Sequence, residues 1–314
     1  MSKIKHDLEI KFGSKYGPEE EAAMLRVLRN NAPTSGDECI AFEKAYAEYV
    51  GTEHARVVTN GTSALFLSMI GIGIRPGDRV ITSPVTWIAS AAAPVTLGAE
   101  VDFVDIDPDT YNIDPAGIEE KIGPDTKAIV PVHLYGQACE MDEIMAIAKQ
   151  HNILVMEDAA QALGASYFGK NAGTMGAVGA YSTDAGKSLN TGEGGLVVTN
   201  DEQRYVLARG LHDHGHEYSK TKGRGEEGAI CFGFNYRMTE MQSAIGLAEL
   251  ERMDTWNMPA RRRNAYILID AVRQLPEVRF LPVDTEERRN GWYVMAFSLN
   301  IEDMNCTIRE FVDA

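Results

Sequence analysis

The chain has 314 residues, with 46 acidic and 30 basic side chains, a formal net charge of −16 and 44% hydrophobic residues. That length exceeds what one compact core usually covers, so a large domain and a smaller one are expected, and an acidic excess without any offsetting basic run argues against nucleic acid as a partner. No segment approaches the roughly 20 apolar residues of a membrane span, and the opening "MSKIKHDLEIKFGSKYGPEEE" has no apolar core like that of a secretion signal, so a cytoplasmic protein is expected.

In chain order, two helical patterns around 18 to 30 and 38 to 49 come first. From residue 55 the β-branched runs "ARVVT", "RVITS", "EVDFVDI", "KAIVPV", "ILVME", "AVGAYS" and "GLVVT" read as buried strands. Between most of them lie stretches of helical spacing such as "SALFLSMIGIGI", "ASAAAPVTLG" and "MDEIMAIAKQH". This alternation predicts an α/β fold: a mostly parallel sheet with helices on both faces and ligands outside the carboxyl ends of its strands. The last two runs are joined without a helix, which predicts one antiparallel strand. A long helix is expected from 238 to about 254, closing a large domain over 1–254. A smaller α/β domain follows over 255–314, with "VRFLP" and "WYVMAFSLN" as strand-like runs, and it reads as incomplete because the sequence stops inside a helical pattern. Cys39, Cys139, Cys231 and Cys306 are far apart with no C-x-x-C pair, as expected of reduced thiols rather than of disulfides or a zinc site.

The segment "DAGKSLNTGEGG" at 184–195 poses the functional question, because Lys187 has three readings: a phosphate-gripping lysine, a covalent amine or a solvated surface charge. "YSTDAGKS" departs from a P-loop at its first position, Tyr181, and the lysine is followed by a turn and a strand where a P-loop has a helix. Other strand-end segments bear on the choice. In "VVTNGTSALFLSMI" a strand runs into a helix at Gly61, Thr62 and Ser63, which is either an ordinary capped helix or a seat for a phosphate dianion. "ILVMEDAAQALGASY" delivers Glu157, Asp158 and Gln161 to a strand end; Asp158 suits a proton on a pyridine nitrogen or a simple helix cap, and Glu157 faces the other way. Trp87, in "SPVTWIASAAAP", is a core residue or a plate for a flat ring. A phosphate seat, an aromatic plate, a carboxylate and a lysine at the strand ends of one sheet together match the needs of pyridoxal phosphate, whose aldehyde the lysine amine would bind.

These segments carry a resemblance. "NGTSAL", "VTWIASAAAPVTLGAEVDFVDID", "VHLYGQACEMDEI", "EDAAQALGA", "GKSLNTGEGGLVVTND" and "GFNYRMTEMQSAIGLAEL" stand in an order and spacing similar to the DegT/StrS-type aminotransferases, pyridoxal-phosphate enzymes of fold type I that aminate keto sugars, usually nucleotide-linked. The resemblance runs from about residue 15 to the end. It implies that Lys187 holds the cofactor covalently, Asp158 pairs with the pyridine nitrogen, Gln161 contacts the phenolic oxygen and Trp87 stacks on the ring. Gly61, Thr62 and Ser182 would bind the phosphate, and Asn235 of "FNYRM" would reach the partner subunit's cofactor, so that a homodimer shares its active sites. The implied reaction moves an amino group from glutamate or glutamine to a keto sugar or related polyol ketone. Two alternatives are a cofactor-binding regulator without turnover and a sugar dehydratase. In the dehydratases of this fold a histidine replaces the lysine, so the lysine at 187 favours amino transfer. "TDAGKS" also departs from the more usual apolar approach to the lysine. His133 reads as pocket-lining or as a satisfied core histidine. "HDHGH" at 212–216 reads as a loop near the active site rather than a metal site, no metal being expected, and Arg237 as an anchor for a carboxylate or phosphate or as a subunit bridge.

Overall fold

The computed structural model describes residues 16–30, 34–219, 221–223, 225–304 and 306–313. Helices α1 (Pro18–Asn30) and α2 (Asp37–Val50) lead to β1 (His54–Val58), α3 (Gly61–Gly71), β2 (Arg79–Thr82), α4 (Ala89–Thr96), β3 (Glu100–Phe103) and β4 (Thr126–Val130). Then come α5 (Met141–His151), β5 (Leu154–Asp158), the short β6 (Ser166–Tyr167) and β7 (Lys170–Asn171), β8 (Val178–Ser182), β9 (Gly195–Thr199), α6 (Glu202–His212) and α7 (Glu240–Glu251). The chain closes with α8 (Met258–Val272), β10 (Val278–Phe280), β11 (Arg288–Arg289), β12 (Phe297–Leu299) and α9 (Ile308–Asp313).

Local chemistry sets the helix ends. Asn60 caps α3 by accepting the Ser63 N–H at 2.8 Å, Asp201 caps α6 from the Gln203 and Arg204 amides, and Thr239 with Gln242 forms a capping box on α7. At the other end, Gly51 closes α2 in the left-handed region, at φ 81°.

Seven strands form the central sheet in the order β1-β9-β8-β5-β4-β2-β3. All neighbours are parallel except β9, which runs antiparallel to both β1 and β8. The helix-free connection between β8 and β9 forces that reversal, as its sequence implied. Alternate strand residues feed two cores. Val57, Ile81, Ile129, Val155 and Tyr181 pack with α2 and α5, while Val58, Val80, Val130, Met156 and Ala180 pack with α3, α4 and α6. The result is the expected three-layer α/β/α fold, whose parallel strands all point their carboxyl ends to one edge.

The residues after α7 differ in detail from their sequence pattern. Of "WYVMAFSLN" only Phe297–Leu299 is strand, paired antiparallel with β10. Trp292 sits in the left-handed region at φ 47°, and the Gly291 N–H bonds the Gly136 carbonyl at 2.7 Å, so tertiary bonds pull this segment out of extended pairing. β11 pairs with β6, and Arg288 forms a two-pronged ion pair with Glu140, fastening the C-terminal residues to the flank of the large sheet.

Glu157 is fully buried on the sheet face opposite its neighbour Asp158. Its carboxylate accepts the Gly173, Met175 and Gly176 amides at 2.7, 2.6 and 2.5 Å and faces His133 Nε2 at 2.8 Å. His133 Nδ1 accepts the Cys139 N–H at 3.1 Å, so Nε2 carries the proton donated to Glu157. His133 is thus the satisfied core histidine of the two readings. Replacing Glu157 by Ala orphans four buried donors and is expected to cost about 3–5 kcal/mol, read as a lower urea midpoint at unchanged slope. A loss below about 1 kcal/mol would show that water reaches these donors.

Candidate active site

At the carboxyl ends of β1, β2, β5 and β8 lies a cavity of about 470 Å³, and Gly61, Thr62, Trp87, Asp158, Gln161, Ser182 and Lys187 all line it. The N-terminus of α3 forms one wall. Asn60 satisfies the Ser63 and Ala64 amides, whereas those of Gly61 and Thr62 have no partner among the described residues and remain free for an anion. A Cβ on Gly61 would lie 2.7 Å from Ser182 Cβ, so only glycine lets the helix start against the end of β8. Ser63 lies elsewhere than the cavity lining: it is buried, and its hydroxyl meets Asn60 Oδ1 at 2.9 Å and Thr59 Oγ1 at 3.0 Å, shaping the cap.

Asp158 is buried at the end of β5, accepting the Ser90 hydroxyl at 2.7 Å and the Ala160 N–H at 3.1 Å. Burial pushes its carboxyl above the usual range, while Ser90, the Ala160 amide and the Lys187 charge hold it down. The hydroxyl of Ser90, inside "ASAAAP", was not singled out from the sequence; a lone polar side chain in a run of alanines was its signal. Gln161 Oε1 accepts the Tyr135 N–H at 2.9 Å, which leaves its amide N–H groups to donate toward the cavity. Trp87 stands just ahead of α4 with 73% of its surface exposed, so its indole belongs to the cavity wall and not to the core.

Lys187 rides on the excursion between β8 and β9. Braces across it run from the Ala185 N–H to Gly192 O at 2.9 Å, from the Thr191 N–H to Thr183 O at 2.8 Å and between the two threonine hydroxyls at 2.7 Å. Asp184 turns the chain, its Oδ1 taking the Gly186 N–H at 2.9 Å and its carbonyl the Lys187 N–H at 2.8 Å, which accounts for the polar approach "TDAGKS". The Lys187 amine sits 4.6 Å from the ring centroid of Tyr293, a residue missed because its segment reads as strand. Arg261 holds that segment: it donates to the Trp292 and Tyr293 carbonyls at 3.3 and 3.2 Å and to Asn257 Oδ1 at 2.8 Å. Asn257 in turn donates to the Ser188 carbonyl at 2.5 Å, next to the lysine.

Asn235 lies outside this cavity, in a bridge with Asp213. Asp213, His214 and His216 bring ligand-type atoms within 4.8 Å of one another, but Arg237 is ion-paired to Asp213 and places a fixed positive charge there. No described helix is long and apolar enough to cross a membrane.

The fold and the cavity together place the chain in a known class: residues 15–313 match the model of the DegT/DnrJ/EryC1/StrS aminotransferase family, and the chain belongs to that family. It is 47% identical over 224 residues to a GDP-perosamine synthase of Caulobacter vibrioides, a match covering 71% of this chain and 59% of that protein. Among solved structures, an aminotransferase from Psychrobacter cryohalolentis is 36% identical with a TM-score of 0.88, covering 92% of this chain and 77% of that one. An E. coli GDP-4-keto-6-deoxy-D-mannose-3-dehydratase with bound hydrated PLP is 28% identical with a TM-score of 0.89, over 96% and 81%.

Two substitutions test the geometry. Gly61→Ala is expected to push α3 off Ser182, weakening pyridoxal phosphate binding at least roughly tenfold by fluorescence titration and costing about 1–3 kcal/mol of stability in urea unfolding. Tyr293→Phe is expected to keep the ring against Lys187 and turnover near wild type, whereas Tyr293→Ala lowers kcat by about tenfold through a mobile lysine. Equal rates for the two variants would dismiss the ring contact.

Proposed function

We propose that the chain is a pyridoxal-phosphate-dependent aminotransferase that moves an amino group from glutamate or glutamine to a nucleotide-linked keto sugar. The observation that carries this reading is the convergence of Lys187, buried Asp158 and the two free amides of α3 on one cavity. The donor set fits the cofactor: an anion seat, an aromatic plate, an acceptor for a ring N–H, a donor for a phenolic oxygen and an amine. Pyridoxal phosphate, when bound, supplies an aldehyde that bonds amines reversibly and a ring that takes up an electron pair. The Gly61 and Thr62 amides, with Ser182, would bind the phosphate group, and the Trp87 indole would cover the ring face and exclude water. Asp158, oriented by Ser90, would hold a proton on the ring nitrogen. Gln161 would donate to the phenolic oxygen. Lys187 Nζ would take the proton from the donor's α-carbon and, in the second half of the cycle, deliver one to the carbon that receives nitrogen.

A homodimer with shared sites is part of the proposal. Trp87, Ile88 and Phe232 are 73, 75 and 99% exposed, large apolar side chains of the kind a partner subunit would cover, and Asn235 lies clear of its own chain's cavity, free to serve another. A cytoplasmic setting accords with four free cysteines.

The loaded protein is expected to absorb in the near ultraviolet or visible, to change that band on addition of glutamate, and to lose both the band's characteristic position and turnover as Lys187→Ala. A loaded protein whose spectrum matches free cofactor would refute the role of Lys187. A normal band indifferent to glutamate and glutamine would favour a regulator.

A further inference from the structure

A second cavity, of about 340 Å³, lies between α2, β1 and α6 and shares no lining residue with the first. Three arginines converge on it: Arg56 from β1, Arg209 from α6 and Arg237 from the segment before α7. Two of them have carboxylate partners. Arg56 Nη1 meets Glu43 Oε1 at 3.0 Å, and Arg237 is ion-paired with Asp213.

Arg209 has no carboxylate or hydrogen-bond partner for its guanidinium among the described residues. It is held instead by rings, with its guanidinium carbon 5.7 Å from the Tyr205 centroid and 4.9 Å from that of Tyr218. Such stacking fixes the plane of the group and leaves its edge N–H donors free. A second orphan lies beside it. Arg56 bonds Glu43 and donates from Nη2 to the Tyr205 hydroxyl at 2.8 Å, yet its Nε is buried without an acceptor. Buried donors of a charged group rarely stay unpaired in a finished structure.

His212 adds no charge to this balance. Burial and the neighbouring Arg56 hold its imidazole down at about 3, and its Nδ1–H is given to the Arg209 carbonyl at 2.5 Å, so the ring is neutral with Nε2 as an acceptor. Three arginines face two carboxylates here, Glu43, which pairs with Arg56 and also feels the Arg209 charge, and Asp213, which pairs with Arg237, so the described wall keeps one positive charge in excess although the whole chain carries −16. The two tyrosine rings supply flat apolar surface, and the volume exceeds that of a bare oxyanion, leaving room for an attached organic group.

We propose that this cavity is a binding site for the phosphate or carboxylate group of a small metabolite, taken up by the Arg209 edge with the buried Arg56 guanidinium behind it. The site is separate from the aminotransferase cavity and stands whether or not the reading of that cavity holds. Its position gives it a regulatory reach. Arg237 lines it, and Asp213, paired with Arg237, bridges to Asn235, the residue proposed to serve the partner's active site. An anion here bears on the strand of contacts that sets Asn235.

The test uses the protein saturated with pyridoxal phosphate and freed of excess, so that the anion seat of α3 is filled. Thermal unfolding is followed against inorganic phosphate and, separately, succinate, each compared with sodium chloride at equal ionic strength. The site predicts a midpoint that rises and saturates with at least one of the two, the better probe telling a phosphate ester from a carboxylate. Arg209→Met is expected to weaken the response at least roughly tenfold. A response no greater than that of chloride overturns the proposal, and so does one that Arg209→Met keeps, which would assign the anion elsewhere. Wild-type crystals soaked in selenate and, separately, in bromosuccinate provide a measurement independent of any variant's folding: anomalous density between Arg56 and Arg209 with either probe supports the site, and its absence there with both overturns it.

Discussion

The contact between the start of α3 and the end of β8 is the constraint on which the site depends. Gly61 approaches Ser182 so closely that no side chain fits between them, and Gly195, opposite Ser182 in β9, would place a Cβ 2.6 Å from the Asn60 carbonyl carbon. Two hydrogen-only positions therefore let a helix terminus, a parallel strand and an antiparallel strand meet at one point. The free amides of α3 then face the same space as the lysine carried between β8 and β9. Were α3 a side chain's width further out, the anion seat and the amine would address different ligands.

Neighbouring carboxylates divide structural and chemical work by strand alternation. Glu157 points to the face where three amides and His133 consume its lone pairs. Asp158, one residue on, points to the cavity, where among the described residues the Ser90 hydroxyl and the Ala160 amide donate to it and acceptor capacity remains. The same burial that would penalise either charge is answered at Glu157 by the protein itself. At Asp158 it is answered only in part, which is the condition a ligand's N–H can exploit.

The residues after α7 act on the site from outside the sheet. A π-helical turn at Met253–Asn257 places Asn257 against the Ser188 carbonyl, and Arg261, one turn further, grips both Asn257 and the backbone that presents Tyr293. Burial lowers the Arg261 guanidinium from its ordinary range, against the opposing influence of Tyr293 and Glu249. Lysine and tyrosine are thus tied to one another through backbone that lies over a hundred residues apart in sequence.

Local pattern determined the layered α/β fold, the reversed strand after the lysine and the strand-end positions of Gly61, Thr62, Trp87, Asp158, Gln161, Ser182 and Lys187, because period-two burial and helix-start chemistry are properties of contiguous residues. It left Glu157 and Asp158 distinguishable only by face, left open whether Thr62 and Ser63 both serve an anion, and gave no sign of Tyr293 or Arg261. Those were decided by packing between distant segments. Ser63 turned inward because Asn60 and Thr59 claimed its hydroxyl, Trp292 left the strand because Gly136 and Asn290 bonded its neighbour and its own amide, and Arg209 stacks on Tyr205 and Tyr218 while the close carboxylate contacts among the described residues go to Arg56 and Arg237. Competition for hydrogen-bond and charge partners is settled only when the chain has closed, since which partners are within reach is a matter of distance in space and not along the sequence.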